Sequence, residues 1–211
     1  MGLLNLHCHS TYSDGSNSIL ELALAYKNSD HVCLCLTDHS YLIIDEGVGG
    51  SIEKWDQLCA EADDVSKKLD YPIIVGIEAY VRRAEEILVF GRDACRSLLT
   101  TDALDGIKEF YNWYQTNKDP VALIMCHPSV RDYPSHFYLM MDGYETTNSG
   151  CYWGDGFVEK LKTFMPHPRR AYTNINLHIL SDMDTICNEV DEDLIIKDEL
   201  DLIQYLSVAK G

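Results

Sequence analysis

Five short apolar runs in this chain end, on their C-terminal side, in a residue that can bind a metal. "LLNLH" (3–7) leads into His7 and His9, and "HVCLCLTD" (31–38) into Asp38 and His39. "PIIVGIE" (72–78) ends on Glu78 and "VALIMCH" (121–127) on His127. "INLHILSD" (175–182) ends on Asp182, with Asp184 two residues beyond. A carboxylate such as Glu78 closing a run of Ile and Val is costly to bury unless it is paired or coordinated. In barrels of parallel strands, sites form at the C-terminal strand ends. The pattern therefore constrains the chain to an architecture in which strand tips converge.

Two further strand-like runs, "EILVFG" (86–91) and "DGYETT" (142–147), bring the expected strands to seven. Helix-like stretches lie near 17–28, 51–69, 101–117, 155–164 and 198–209, the first with Ser16 or Ser18 as N-cap. Strands alternating with helices predict βαβ units, in either a small barrel or an open doubly wound sheet. Strand parity places Asn5, His7 and His9 on one face and Leu4, Leu6 and Cys8 on the other. It likewise groups Asn176, His178, Leu180, Asp182 and Asp184. Segments 128–140 and 165–174 read as loops, and 211 residues suit one domain over 1–211.

The formal net charge of −17 argues against tight binding to duplex nucleic acid, which rests on clustered Lys and Arg. No apolar run is long enough to span a membrane, and no secretory leader is visible. Eight cysteines without a CxxC pair read as free thiols, which predicts a cytoplasmic location.

The motifs, in order, resemble those of the polymerase and histidinol phosphatase (PHP) superfamily of metal-dependent phosphoesterases. "HCHSTYSDG" (7–15), "LTDH" (36–39), "GIE" (76–78) and "CHP" (126–128) carry the likeness, with "SDMD" (181–184) where that family has SDxH. The resemblance implies an α/β fold, a distorted seven-stranded (β/α) TIM-like barrel with two or three divalent metal ions in its mouth. It implies that His7, His9, Glu78 and Asp182 hold one metal and that Glu78 bridges to a second, also bound by His127. Asp14, His39 and Asp184 would hold a third, with Asp38 either supporting the site from behind or orienting His39. Glu86 falls where many members carry a ligand histidine, and Glu145 and Asn148 would support the site from behind.

Two departures from the family pattern, Asp184 and Glu86, exchange imidazole for carboxylate. Oxygen-rich sites favour Mn²⁺ or Fe²⁺, with Zn²⁺ and Mg²⁺ also compatible. Arg131, Arg169 and Arg170 are the candidate substrate-binding cations, because guanidinium matches phosphate geometry. His31, His136, His167 and His178 lie outside the motifs, and His178 is read as a hydrogen-bonded core histidine.

The expected activity is hydrolysis of a small phosphate ester, nucleotide or oligonucleotide end through a metal-activated water, with His39 or Asp14 assisting proton transfer. Two rivals remain: a catalytically degenerate binding protein, and a metal-dependent hydrolase of C–N bonds. The sequence sets neither the substrate nor the oligomeric state.

Overall fold

The computed structural model describes residues 1–44, 52–117, 120–128, 133–148, 151–152, 159–161, 163, 170–183 and 187–207. Its elements in chain order are β1 (Gly2–Leu4), α1 (Ile19–Lys27), β2 (Leu34–His39), α2 (Ser40–Ile43), α3 (Glu53–Leu69), β3 (Ile73–Tyr80) and β4 (Glu86–Phe90). They continue with α4 (Arg92–Leu99), α5 (Ile107–Asn117), β5 (Ala122–Met125), α6 (Ser135–Met140), β6 (Gly143–Asn148) and β7 (Cys151–Tyr152). Last come β8 (Arg170–Thr173), β9 (Asn188–Val190) and α7 (Glu199–Ser207). The fold is mixed α/β. Its main sheet runs β2-β3-β4-β5-β6-β7, with β8 paired to β6.

The pairs β2–β3, β5–β6 and β6–β8 are parallel, but β4 runs antiparallel to both β3 and β5. The reason lies in chain length. Only residues 81–85 separate β3 from β4, and a parallel crossover needs about a dozen or more. The expected closed seven-stranded barrel is not formed as a continuous ladder by the described residues. Single bonds span the gap between β2 and the segment after β8: Thr37 N donates to Cys8 O at 2.8 Å and His9 N to Leu177 O at 2.8 Å. β1 pairs instead with β9 in a separate antiparallel ribbon.

Strand alternation divides the core in two. Leu34, Leu36, Ile73, Val75, Ile77, Ile87, Val89, Leu123 and Met125 face the cluster that includes Leu22 of α1, Leu58 of α3, Leu98 of α4 and Phe110 of α5. Cys33, Cys35, Ile74, Leu88, Phe90, Ala122, Ile124 and Cys126 face a second cluster that includes Leu4, Leu6 and Leu202 of α7. The second face turns polar only at its C-terminal end, where Glu78 and Glu86 continue the parity of Ile74 and of Leu88.

The first segment breaks the expected parity. Leu4 and Leu6 join the inner cluster while Cys8 joins the helix side. Asn5 turns away from His7: its amide donates to Tyr26 Oη at 2.8 Å and to His7 O at 2.9 Å. The predicted strand 175–182 is a single bridge at Leu177 followed by a 3₁₀ turn, Leu180–Asp182. Segments 128–140 and 165–174, expected as loops, include α6 and β8.

Local chemistry explains two of these elements. Ser18 caps α1 in a reciprocal box with Glu21. Gly76 lets β3 lie against β4, since a Cβ there would collide with the Val89 carbonyl and the Phe90 ring. Gly76→Ala should therefore lower stability by about 1–3 kcal/mol, and Ser18→Ala by about 1 kcal/mol. Urea denaturation with unchanged slope would check both.

Candidate metal centre

Glu78 is fully buried near the end of β3, and four histidines from three segments surround it. His127 Nε2 lies 2.6 Å and His7 Nε2 3.3 Å from its Oε1. His39 Nδ1 lies 2.7 Å and His9 Nε2 3.5 Å from its Oε2. Yet His7 Nε2, His39 Nδ1 and Glu78 Oε2 have no aligned hydrogen bond and no exposure. Buried polar atoms are normally hydrogen-bonded. Nitrogen and carboxylate atoms that approach closely without lining up are arranged as ligands around common points. The residues present thus fit divalent cations.

Three groups of possible ligands share these side chains. His7, Glu78, Cys126 and His127 form one; His39, Glu78 and Glu86 another; His9, Asp14, His39 and His178 a third. Glu78 and His39 each belong to two, so the groups adjoin.

The backbone aims each residue. His39 is the last residue of β2 and lies in register with Glu78 on β3. Glu86 opens β4 opposite Tyr80, and its Oε2 lies 3.4 Å from His127 Nε2. Alternation alone would send His127 away from Cys126, toward the helices. Its φ of 27° turns it back, a strained conformation of the kind that persists at functional sites. Asp14 arrives on the loop after His9, with carboxylate oxygens 3.4 Å from His178 Nε2, 3.6 Å from His39 Nε2 and 3.8 Å from His9 Nδ1.

A further shell holds these groups still. His7 Nδ1 donates to Glu145 Oε1 at 2.8 Å, and Glu145 also accepts from His127 N at 2.8 Å and from the Asn174 amide at 2.9 Å. A carboxylate behind a ligand histidine fixes its orientation and raises its basicity. Asp38 supports the site from behind, the first of its two expected roles, and its carboxylate does not hydrogen-bond the His39 ring. It accepts from Ser10 N and Ser10 Oγ at 2.8 Å and from Ser13 Oγ at 2.6 Å, which pins the loop carrying Asp14.

The electrostatics call for positive charge. Burial opposes a charged His7, but Glu78 and Glu145 outweigh it and lift His7 to about 10. Burial and the neighbouring His7 push His9 down to about 2. Burial would raise Glu78, but the surrounding histidines hold it well below the usual carboxylate range. Burial and the nearby Glu78 raise Glu86.

Of the residues singled out from the sequence, His7, His9, Asp14, His39, Glu78, Glu86 and His127 come together. Asp182 does not: it is exposed, with its carboxylate accepting from Ser181 Oγ. Arg170 stands at the start of β8, stacked 4.4 Å over the Tyr205 ring of α7, and lines no part of the cluster. Asp184, Arg131 and Arg169 lie outside the described residues.

The residues that reach the site from the last segment are Asn176 and His178. Asn176 Oδ1 lies 2.9 Å from His9 Nε2, and the His178 ring stacks on His9 at 4.2 Å. Asn176 takes a left-handed φ of 48°, and Ser16 N binds His178 O at 2.7 Å, so the chain turns outward before Asp182. The parity that grouped Asn176 and His178 with the later acids was the available signal. It pointed to the beginning of the run, not its end.

A model of the PHP domain matches residues 5–148. The chain belongs to the PHP family. No curated protein matches the chain in sequence. Among solved structures, this PHP chain is similar in fold to PsfC from Pseudomonas syringae, with a TM-score of 0.69 and 11% identity over 96% of this chain and 87% of that one. It is also similar to a proposed metal-dependent phosphoesterase from Bifidobacterium adolescentis (TM-score 0.53, 13% identity, 96% and 94%). A third neighbour is a two-domain protein of Bacteroides vulgatus containing a predicted PHP-like metal-dependent phosphoesterase (TM-score 0.54, 16% identity, 86% and 53%). The chain thus spans about half the length of that protein. At these identities the likeness is one of fold.

His178→Ala should lower metal affinity by more than the roughly 10–100-fold cost of removing an outer-shell partner. Asp182→Ala should leave it unchanged. Calorimetric Mn²⁺ or Zn²⁺ titration would distinguish them, and equal losses would contradict the assignment of the last segment. Glu145→Gln should weaken binding about 10–100-fold while leaving the fold intact by circular dichroism.

Proposed function

We propose that this PHP-family chain is a metal-dependent phosphoesterase acting on a small phosphate ester, a nucleotide or an oligonucleotide end. The observation that carries the reading is the buried Glu78 carboxylate amid four convergent histidines, with His7 Nε2, His39 Nδ1 and Glu78 Oε2 buried and without a hydrogen bond. Divalent cations held there would supply Lewis acidity toward phosphoryl oxygens and a nucleophilic water at neutral pH. His7, Glu78 and His127 would hold one; His39, Glu78 and Glu86 a second; and His9, Asp14, His39 and His178 a third.

The chain's own charges support this division of labour. Glu78, Glu86 and Asp14 would repel a phosphate unless cations offset them. Glu78 and Glu145 are fully buried and keep their orientation, while Asp14 is exposed and His39 is partly accessible at the mouth. Those two are therefore placed to meet substrate and to pass a proton. Tyr41 stacks on His39 with 4.8 Å between ring centroids and is 43% exposed, which gives the mouth an aromatic wall. Arg131 and Arg169 remain candidates for phosphate contact. A reducing, cytoplasmic setting fits the free thiols among the described cysteines. No described helix is long and apolar enough to cross a membrane.

The test is hydrolysis of p-nitrophenyl phosphate and bis-p-nitrophenyl phosphate by chelator-treated protein resupplied with Mn²⁺, Fe²⁺, Zn²⁺ or Mg²⁺. Activity should vanish on chelation, return with metal, and fall by more than about 10²-fold in His9→Ala, in the range that loss of general acid–base catalysis alone can cost. Metal uptake without turnover of either ester would favour a binding role. Turnover of an amide or cyclic imide instead would favour the C–N hydrolase.

A further inference from the structure

Cys126 follows β5 on the same face as Ile124 and is fully buried. Its Sγ donates to Glu78 Oε1 at 3.3 Å. Potential ligand atoms of Cys126, His7, Glu78 and His127 all lie within 4.8 Å of one another. Among the described cysteines, only Cys126 belongs to a group able to hold a metal. Cys33 and Cys35 face each other at 3.7 Å in the apolar cluster, and Cys95 Sγ donates to the Val89 carbonyl. One further atom aims into the same place: His7 Nε2, 3.3 Å from Glu78 Oε1, is fully buried and has no hydrogen-bond partner.

We propose that Cys126 is a thiolate ligand of the group His7–Glu78–Cys126–His127, which makes this position select Zn²⁺, Co²⁺ or Fe²⁺ over Mg²⁺. The proposal rests on the metal-binding reading given above. Two imidazoles, one carboxylate and one thiolate form a four-ligand set of borderline-soft character, suited to tetrahedral zinc-like ions. Mg²⁺ prefers oxygen and keeps its waters, so sulfur offers it little. The other two groups contain only imidazole and carboxylate, so the centre would combine one softer and harder positions.

Ligation breaks the Sγ–H bond and forms an Sγ–metal bond. The proton leaves to solvent, and no oxidation state changes. In the metal-free protein that proton sits in the hydrogen bond to Glu78. The competing explanation is that this hydrogen bond merely orients the carboxylate.

Spectroscopy of the full chain separates the two. Metal-depleted protein is loaded with Co²⁺ and its ultraviolet and visible spectra are recorded for the parent chain, Cys126→Ser and Cys35→Ser. The parent and Cys35→Ser should show a thiolate-to-cobalt charge-transfer band beside the visible d–d bands. Cys126→Ser should keep the d–d bands and lose the charge-transfer band. Its Zn²⁺ affinity should fall by more than the roughly 10–100-fold typical of an outer-shell loss, with Mg²⁺ affinity unchanged. Visible bands without charge transfer in the parent would overturn the thiolate ligand and leave the metal centre standing. Failure to take up Co²⁺ or Zn²⁺ at all would overturn both. Should Cys126→Ser fail to fold, the parent spectrum alone decides.

Discussion

Glu78 is a carboxylate with no exposed surface, near the end of a strand otherwise made of Ile, Val, Gly, Ala and a terminal Tyr80. Removing such a charge from water costs several kcal/mol unless opposite charge or aligned donors replace the lost hydration. Here the replacement comes from His7, His9, His39 and His127, from three segments far apart in the chain that meet only because the strand tips meet. Each histidine is itself buried or partly buried, so the charge balance of the cluster is shared rather than local. Divalent cations would resolve the conflict directly, bringing positive charge to atoms that lack aligned hydrogen bonds.

The surroundings serve that requirement. Glu145 holds His7 and the His127 backbone together, and Asn174 holds Glu145. Asn188 extends this support toward the β1–β9 ribbon, donating to Leu4 O and to Thr173 O. Asp38 fastens the loop after His9, and Gly15 is needed there because a Cβ would strike the His9 carbonyl. A site assembled from many segments has to be held this way. Ligand positions that drift by even an ångström lose the preorganisation on which electrostatic catalysis depends.

Much of this was legible beforehand. Apolar runs closing on His or Glu mark strand tips, and the motif order singles out Glu86 beside them. Both inferences depend on local spacing, and both match the structure. Where spacing ceased to control geometry, the reading failed. The run 175–182 keeps an alternating pattern, but its backbone leaves the extended form near Asn176 and turns into a 3₁₀ segment. Asp182 therefore reaches solvent, and His178, first read as a core histidine, reaches Asp14 and His9. Arg170 looked like a phosphate contact from its neighbours in sequence. Strand β8 begins there, at the end remote from the site, and the guanidinium stacks on Tyr205.

By itself the sequence determined the α/β character, the strand tips, and most of the side chains that converge there, because period-2 patterning and residue chemistry act over a few neighbours. Tertiary structure decided the rest. It decided that β4 runs antiparallel, that His127 faces inward despite its parity, and that Asn176 and His178 rather than Asp182 complete the cluster. It also brought the Cys126 thiol to Glu78, forty-eight residues away in the chain. These outcomes depend on how backbone bends and hydrogen bonds between distant segments orient each side chain, and no local pattern encodes them.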